Sequence, residues 1–182
     1  MYFFSEFPVI AAVKSRDALS LAIESDVDII FHLAADIFGL AEDVEAVHRA
    51  NKKLFIHMDL VEGIGKDAYG IEFAKKMNVD GIISTRVNLI RAARDKGLST
   101  VQRFFIVDSR SIDTTVETVK SSKPDMIELM PALLPKVIER VKTCLDIPVI
   151  AGGLIETKAE IISAINAGAD AISTGKSDLW RD

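Results

Sequence analysis

Eight short apolar runs, each followed by a longer stretch that leads to the next, recur along the whole chain and constrain its fold more than any other feature. The runs are Val9–Val13, Ile29–Leu33, Leu54–Met58, Gly81–Ser84, Thr100–Val107, Met126–Met130, Val149–Ala151 and Ala171–Ser173. They are rich in Val, Ile and Phe. Most run apolar without strict alternation, the pattern of strands buried on both faces. Helical patterns fill the gaps: Asp17–Ile23, Leu40–Ala50, Tyr69–Met77, Val87–Lys96, Ser111–Val119, Leu134–Leu145 and Thr157–Ala167. The fourth ends at Gly97, a suitable residue just past a helix. Asp113 is a candidate cap for the fifth. The seventh opens with Thr157 as N-cap and Glu160 as its capping-box partner, and closes at Gly168.

Strands that alternate with helices imply parallel pairing and helical crossovers. Eight such units suit a closed (β/α)8 TIM barrel, a single domain over residues 1–182. At about 23 residues per unit the barrel is smaller than the usual ~250 residues, so its loops must be short. An open, doubly wound sheet fits less well, because no G-x-G-x-x-G follows the first strand. The sequence stops at Trp180-Arg-Asp182, soon after the eighth run, which leaves a final helix short of complete.

Composition narrows the class. Apolar residues make up 49% of the chain, and 27 acidic against 22 basic side chains give a net charge of −5. That balance lends no support to strong nonspecific nucleic-acid binding. Cys144 is the one cysteine, so no intrachain disulfide forms and a reducing, cytoplasmic setting fits. Its place beside Val137, Val141 and Leu145 reads as a small buried apolar residue. Met1-Tyr2-Phe3-Phe4 lacks the charged and apolar regions of a signal peptide. No apolar run approaches the ~20 residues that span a membrane.

In such a barrel, ligands bind where the strands end. The strongest local signal there is Val149-Ile-Ala-Gly-Gly153 followed by Ala171-Ile-Ser-Thr-Gly-Lys176. Backbone N–H groups at Gly152, Gly153, Thr174 and Gly175, with a helix opening at Ser177, make a candidate phosphate corner to which Lys176 adds a point charge. The alternative is that the glycines serve tight turns only. His57 and Asp59 lie two apart at the end of the third strand, and Arg86 ends the fourth. Together they fit acid–base chemistry, hydrogen bonds to a small polyol, or a structural network. Glu128 sits between apolar neighbours and needs a partner, for which Lys14 and Arg103 are candidates across the barrel. Three scattered histidines argue against zinc, while Asp59, Glu62 and Glu128 make a weak magnesium set. Arg103, Phe104 and Phe105 read either as a base-stacking surface or as a barrel strand with two core phenylalanines.

His57-Met-Asp-Leu-Val-Glu-Gly63, Tyr69-Gly70, Gly81-Ile-Ile-Ser-Thr-Arg86, Gln102-Arg-Phe-Phe-Ile-Val-Asp108, Ile127-Glu-Leu-Met-Pro131 and Ala151-Gly-Gly-Leu154, in that order, resemble the glycerol uptake operon antiterminator family. The resemblance spans nearly the whole chain. It implies a bacterial regulator, not an enzyme: no cofactor, glycerol 3-phosphate as effector, and the leader mRNA of a glycerol operon as partner, where premature transcription termination is prevented. A homo-oligomer stays open, and no membrane is involved. By position, Gly152, Gly153, Thr174, Gly175 and Lys176 then hold the phosphate. Lys14, His57, Asp59, Arg86 and Glu128 surround the polyol. The residues alone leave open a barrel enzyme, an isomerase, aldolase or phosphodiesterase, acting on a phosphorylated three-carbon substrate. They also leave open a barrel with a vestigial phosphate site that works through protein contacts.

Overall fold

The structure, a computed structural model, describes Phe4 and residues 6–182. Met1-Tyr2-Phe3, read above as part of no signal peptide, lie outside the described residues. Eight parallel strands close in sequence order into a barrel. They are β1 (Val9–Val13), β2 (Ile29–His32), β3 (Lys53–His57), β4 (Gly81–Ser84), β5 (Ser99–Phe105), β6 (Met126–Met130), β7 (Val149–Gly152) and β8 (Ala171–Thr174). The helices between them are α1 (Arg16–Ile23), α2 (Leu40–Arg49), α3 (Ala68–Lys76), α4 (Val87–Asp95), α5 (Ser109–Ser122), α6 (Pro135–Cys144) and α7 (Lys158–Asn166). A short 3-10 turn, Ser177–Leu179, follows β8. No helix among the described residues is long and apolar enough to cross a membrane.

Period two divides each strand between two environments. The inward set, Ile10, Ile29, Phe31, Phe55, Ile83, Val101, Met126, Ile150 and Ala171, packs the barrel interior. Phe31 and Phe55 meet there as tilted rings 5.6 Å apart. The outward set packs under the helices, in one cluster beneath α1–α4 and another beneath α5–α7. At the β8–β1 seam, Leu179 joins the second cluster and Trp180 the first, with the indole N–H donating to the Thr174 carbonyl at 2.9 Å.

Two expectations need correction. Cys144 is exposed, because α6 turns Ile138 and Val141 inward and leaves its last residue at the surface. The cap of α5 is Asp108, not Asp113. Asp108 accepts the Ser111 amide at 2.8 Å and starts the helix at Ser109, while Asp113 lies inside it and pairs with Arg140.

Candidate functional site

Continuing period two upward from the apolar interior gives a polar layer. His57, Arg103, Glu128, Gly152 and Ser173 stand two residues beyond the inward Phe55, Val101, Met126, Ile150 and Ala171. Glu128 is fully buried. Its Oε2 accepts from Arg103 Nε at 2.5 Å, and its Oε1 accepts from Ser173 Oγ at 2.5 Å. A carboxylate so deep is tolerable only with a cation and donors around it. Gly152 is what lets it sit there: a Cβ at that position lies 2.5 Å from both Glu128 Oε1 and Ser173 Oγ. Gly152 therefore makes room for the carboxylate.

Arg103, Glu128 and Ser173 of this layer floor a cavity of about 280 Å³ at the C-terminal mouth of the barrel. Lys14, Arg103 and Glu128 supply its charges, and Leu33, Leu60, Met130 and Leu154 its apolar walls. Gly153, Thr174 and Gly175 complete the rim on the β7–β8 side. Gly153 has φ +78°, and a Cβ there meets the Met130 methyl at 2.8 Å. Leu154 follows at φ +61°, a conformation that costs a non-glycine residue about 1 kcal/mol or more. The Thr174 hydroxyl is already engaged: it donates to the Ile155 carbonyl at 2.8 Å and accepts the Lys176 amide at 3.1 Å. It ties the two loops together, so what the corner offers an anion is backbone. Lys176 is exposed and stands off the cavity lining, and the turn it opens is only three residues long.

His57, Asp59 and Arg86 form a second cluster beside the cavity. Asp59 accepts the Thr85 amide at 2.7 Å, the Ser84 hydroxyl at 3.0 Å and Arg86 Nε at 3.2 Å. That ties the carboxylate to the start of α4. His57 is buried, its Nδ1 has no hydrogen-bond partner, and Asp59 Oδ2 is 3.9 Å away. Burial pulls the imidazole pKa down to about 4, helped by the Arg103 charge and opposed by Asp59. A neutral imidazole with a free nitrogen can hydrogen-bond a hydroxyl. His32 turns outward instead, to Asp43 on α2 at 3.2 Å.

The structure thus brings Lys14, Glu128, Gly153, Thr174 and Gly175 onto one cavity and leaves His57, Asp59, Arg86, Gly152 and Lys176 outside its lining. Asp59, Glu62 and Glu128 do not converge as a magnesium set, and among the described residues no group of three His, Cys, Asp or Glu is placed to hold a metal ion. Sequence reasoning placed Arg103 and Ser173 at strand ends without making them site residues. Arg103 was expected as a partner for Glu128 across the barrel; the β5–β6 register instead sets the two on neighbouring strands, and Lys14 is not the partner.

Comparison with known proteins adds the family. The family model for the glycerol-3-phosphate responsive antiterminator matches residues 9–180. The chain belongs to that family. Among solved structures, this antiterminator-family chain is similar to the glycerol uptake operon antiterminator regulatory protein of Listeria monocytogenes str. 4b F2365. The two are 35% identical with a TM-score of 0.92, over 98% of this chain and 97% of the other. A glycerol uptake operon antiterminator-related protein of Thermotoga maritima MSB8 is 32% identical with a TM-score of 0.84, over 94% and 96% of the two chains. A curated Escherichia coli K12 protein, YgcP, is 41% identical over 174 residues, 95% of this antiterminator-family chain and 91% of its own. Aldolase and decarboxylase barrels at 12–17% identity share the fold alone.

Proposed function

We propose that the protein is a regulator that binds glycerol 3-phosphate at the mouth of the barrel and, so loaded, acts on the leader mRNA of a glycerol operon to prevent premature termination. The observation that carries the ligand reading is the cavity itself. At about 280 Å³ it lies at the small end for ligand pockets and suits a three-carbon compound. Its lining pairs glycine backbone and Lys14 on the β7–β8–β1 side with Arg103, Glu128 and Ser173 on the floor. The first group suits a phosphate, the second suits hydroxyls.

The RNA reading rests on the family and on the rim around that cavity. Three aromatic side chains are exposed at this end of the barrel, Phe38 (93%), Tyr69 (86%) and Phe105 (58%), as are the cations Lys14, Arg110 and Lys136. Val107, Leu133, Leu134 and Leu154 are exposed at the same end. Exposed aromatic faces are what unpaired bases stack on, and cations at the same end suit the phosphates between them. Ligand and RNA would then meet at one end of the barrel.

Calorimetric titration with glycerol 3-phosphate tests the ligand half. Gly153→Val, which drives a side chain into Met130 at a positive φ, should abolish measurable binding. Unaltered affinity in that variant would put the site elsewhere. Leader-RNA binding with and without saturating glycerol 3-phosphate, at constant salt, tests the other half. An RNA affinity indifferent to the ligand defeats the regulatory reading. Turnover of the ligand, lost in His57→Ala, would make the protein an enzyme instead.

A further inference from the structure

The floor of the cavity sets a charge limit on what can enter it. Lys14 and Arg103 bring two positive charges to the lining, and Glu128 one negative. The Arg103–Glu128 pair, 2.5 Å apart, is neutral as a unit, which leaves Lys14 as the surplus cation. One phosphate dianion already exceeds that surplus. The other walls, Leu33, Leu60, Met130 and Leu154 among them, hold no charge to compensate a second anion. In so apolar a setting an uncompensated charge is heavily penalised.

We propose that Glu128 is a specificity-determining residue of this cavity, which admits a three-carbon phosphate whose far end bears hydroxyls and rejects one whose far end bears a carboxylate. This rests on the glycerol 3-phosphate reading given above. A carboxylate has about four lone-pair sites. Glu128 uses one on Arg103 and one on Ser173, and so retains acceptor capacity for a ligand O–H. A ligand carboxylate brings no proton to donate and meets the Glu128 charge instead. Glu128 cannot swing aside at low cost, since Arg103 and Ser173 hold both its oxygens. The competing outcome is also chemical: a ligand carboxylate could take the Arg103 guanidinium bidentately and displace Glu128.

Glycerol 3-phosphate and 3-phosphoglycerate separate these outcomes, because they differ at the far carbon, hydroxymethyl in one and carboxylate in the other. Calorimetric titration of the unmodified protein, at fixed pH and salt, should give the alcohol an advantage of about 100-fold or more, which is about 2.8 kcal/mol at about 1.4 kcal/mol per factor of ten. E128Q preserves the side chain's shape and removes its charge. In that variant the ratio should fall below about tenfold, chiefly through a gain for 3-phosphoglycerate. Equal affinities in the unmodified protein overturn the role of Glu128 and leave the glycerol 3-phosphate reading standing. An unchanged ratio in folded E128Q does the same. If neither compound binds, the ligand reading falls and the inference falls with it. Should E128Q fail to fold, the ratio in the unmodified protein still decides.

Discussion

At the scale of single residues, burial holds the His57 imidazole well below its ordinary value, to about 4, with Arg103 acting in the same direction. The folded form therefore prefers the neutral ring, while the unfolded chain takes up a proton near pH 6.5. Between those values the unfolded state binds more protons, so stability rises with pH. It is complete above about 6.5, falls as the pH drops toward 4, and loses nothing more below that. The full loss is on the order of 3 kcal/mol. Denaturant unfolding of the ligand-free protein at pH 7 and pH 4.5 should show most of it. His57→Gln should flatten the profile, leaving the part due to His32, whose pKa burial also lowers, and to carboxylates such as Glu72 and Glu160, held below their ordinary values by hydrogen bonds. A variant profile as steep as the original would mean that His57 is not the titrating group. The sequence announced His57, Asp59 and Glu128 as polar residues at strand ends, and period two set His57 and Asp59 on one side. It could not show that Asp59 is consumed by Ser84, Thr85 and Arg86, because those bonds depend on how the β4–α4 turn folds back. Gly152 was read as a phosphate-facing glycine, yet its lack of a side chain serves a carboxylate on the neighbouring strand β6, which no local pattern encodes.

At the scale of elements, one device repeats at the opposite end of the barrel. Asp80, Asp125 and Asp170 each precede an even-numbered strand and reach back to an amide at the start of the strand before it. The acceptors meet Leu54 N at 2.8 Å, Thr100 N at 2.8 Å and Val149 N at 2.7 Å. Each carboxylate pins the entrance of one βαβ unit. Asp125 also accepts from the Thr100 hydroxyl at 2.8 Å, so Asp125→Ala removes two bonds at once. It should cost about 1–3 kcal/mol, or a melting temperature lower by several degrees at about 2–4 °C per kcal/mol. Affinity for glycerol 3-phosphate, proposed to bind at the far end of the strands, should stay within about twofold. A large loss of affinity would show that the two ends are coupled. The strands themselves were nearly all legible, since runs of Val and Ile bounded by polar residues have few other homes. The exception is β5, expected to reach Val107. It stops at Phe105, where the chain leaves the sheet to place Asp108 over the start of α5. That capping box carries Ser111 rather than Glu or Gln at its fourth position, so the usual signature did not flag it.

At the scale of the whole molecule, the proposed ligand and the proposed RNA share one end of the barrel, and thermodynamics ties their effects together. If glycerol 3-phosphate raises RNA affinity by some factor, RNA must raise glycerol 3-phosphate affinity by the same factor. A ligand that binds only the folded state also stabilises it, by about 2.7 kcal/mol at a concentration 100 times its Kd. For a chain of 182 residues that is a rise of roughly 5–11 °C in melting temperature. The net charge of −5 adds a further condition. Contacts to RNA phosphates must come from local cations such as Arg110 and Lys136, so few counterions are released and the salt slope is shallow. The decisive measurement is therefore a closed cycle at one salt concentration: ligand Kd with and without leader RNA, and RNA Kd with and without ligand. Matching factors greater than about fivefold, both reduced by Phe105→Ala or Lys136→Ala while ligand affinity without RNA is unchanged, assign the coupling to the rim. Factors of one on both arms would leave a ligand-binding barrel whose mouth does not speak to RNA.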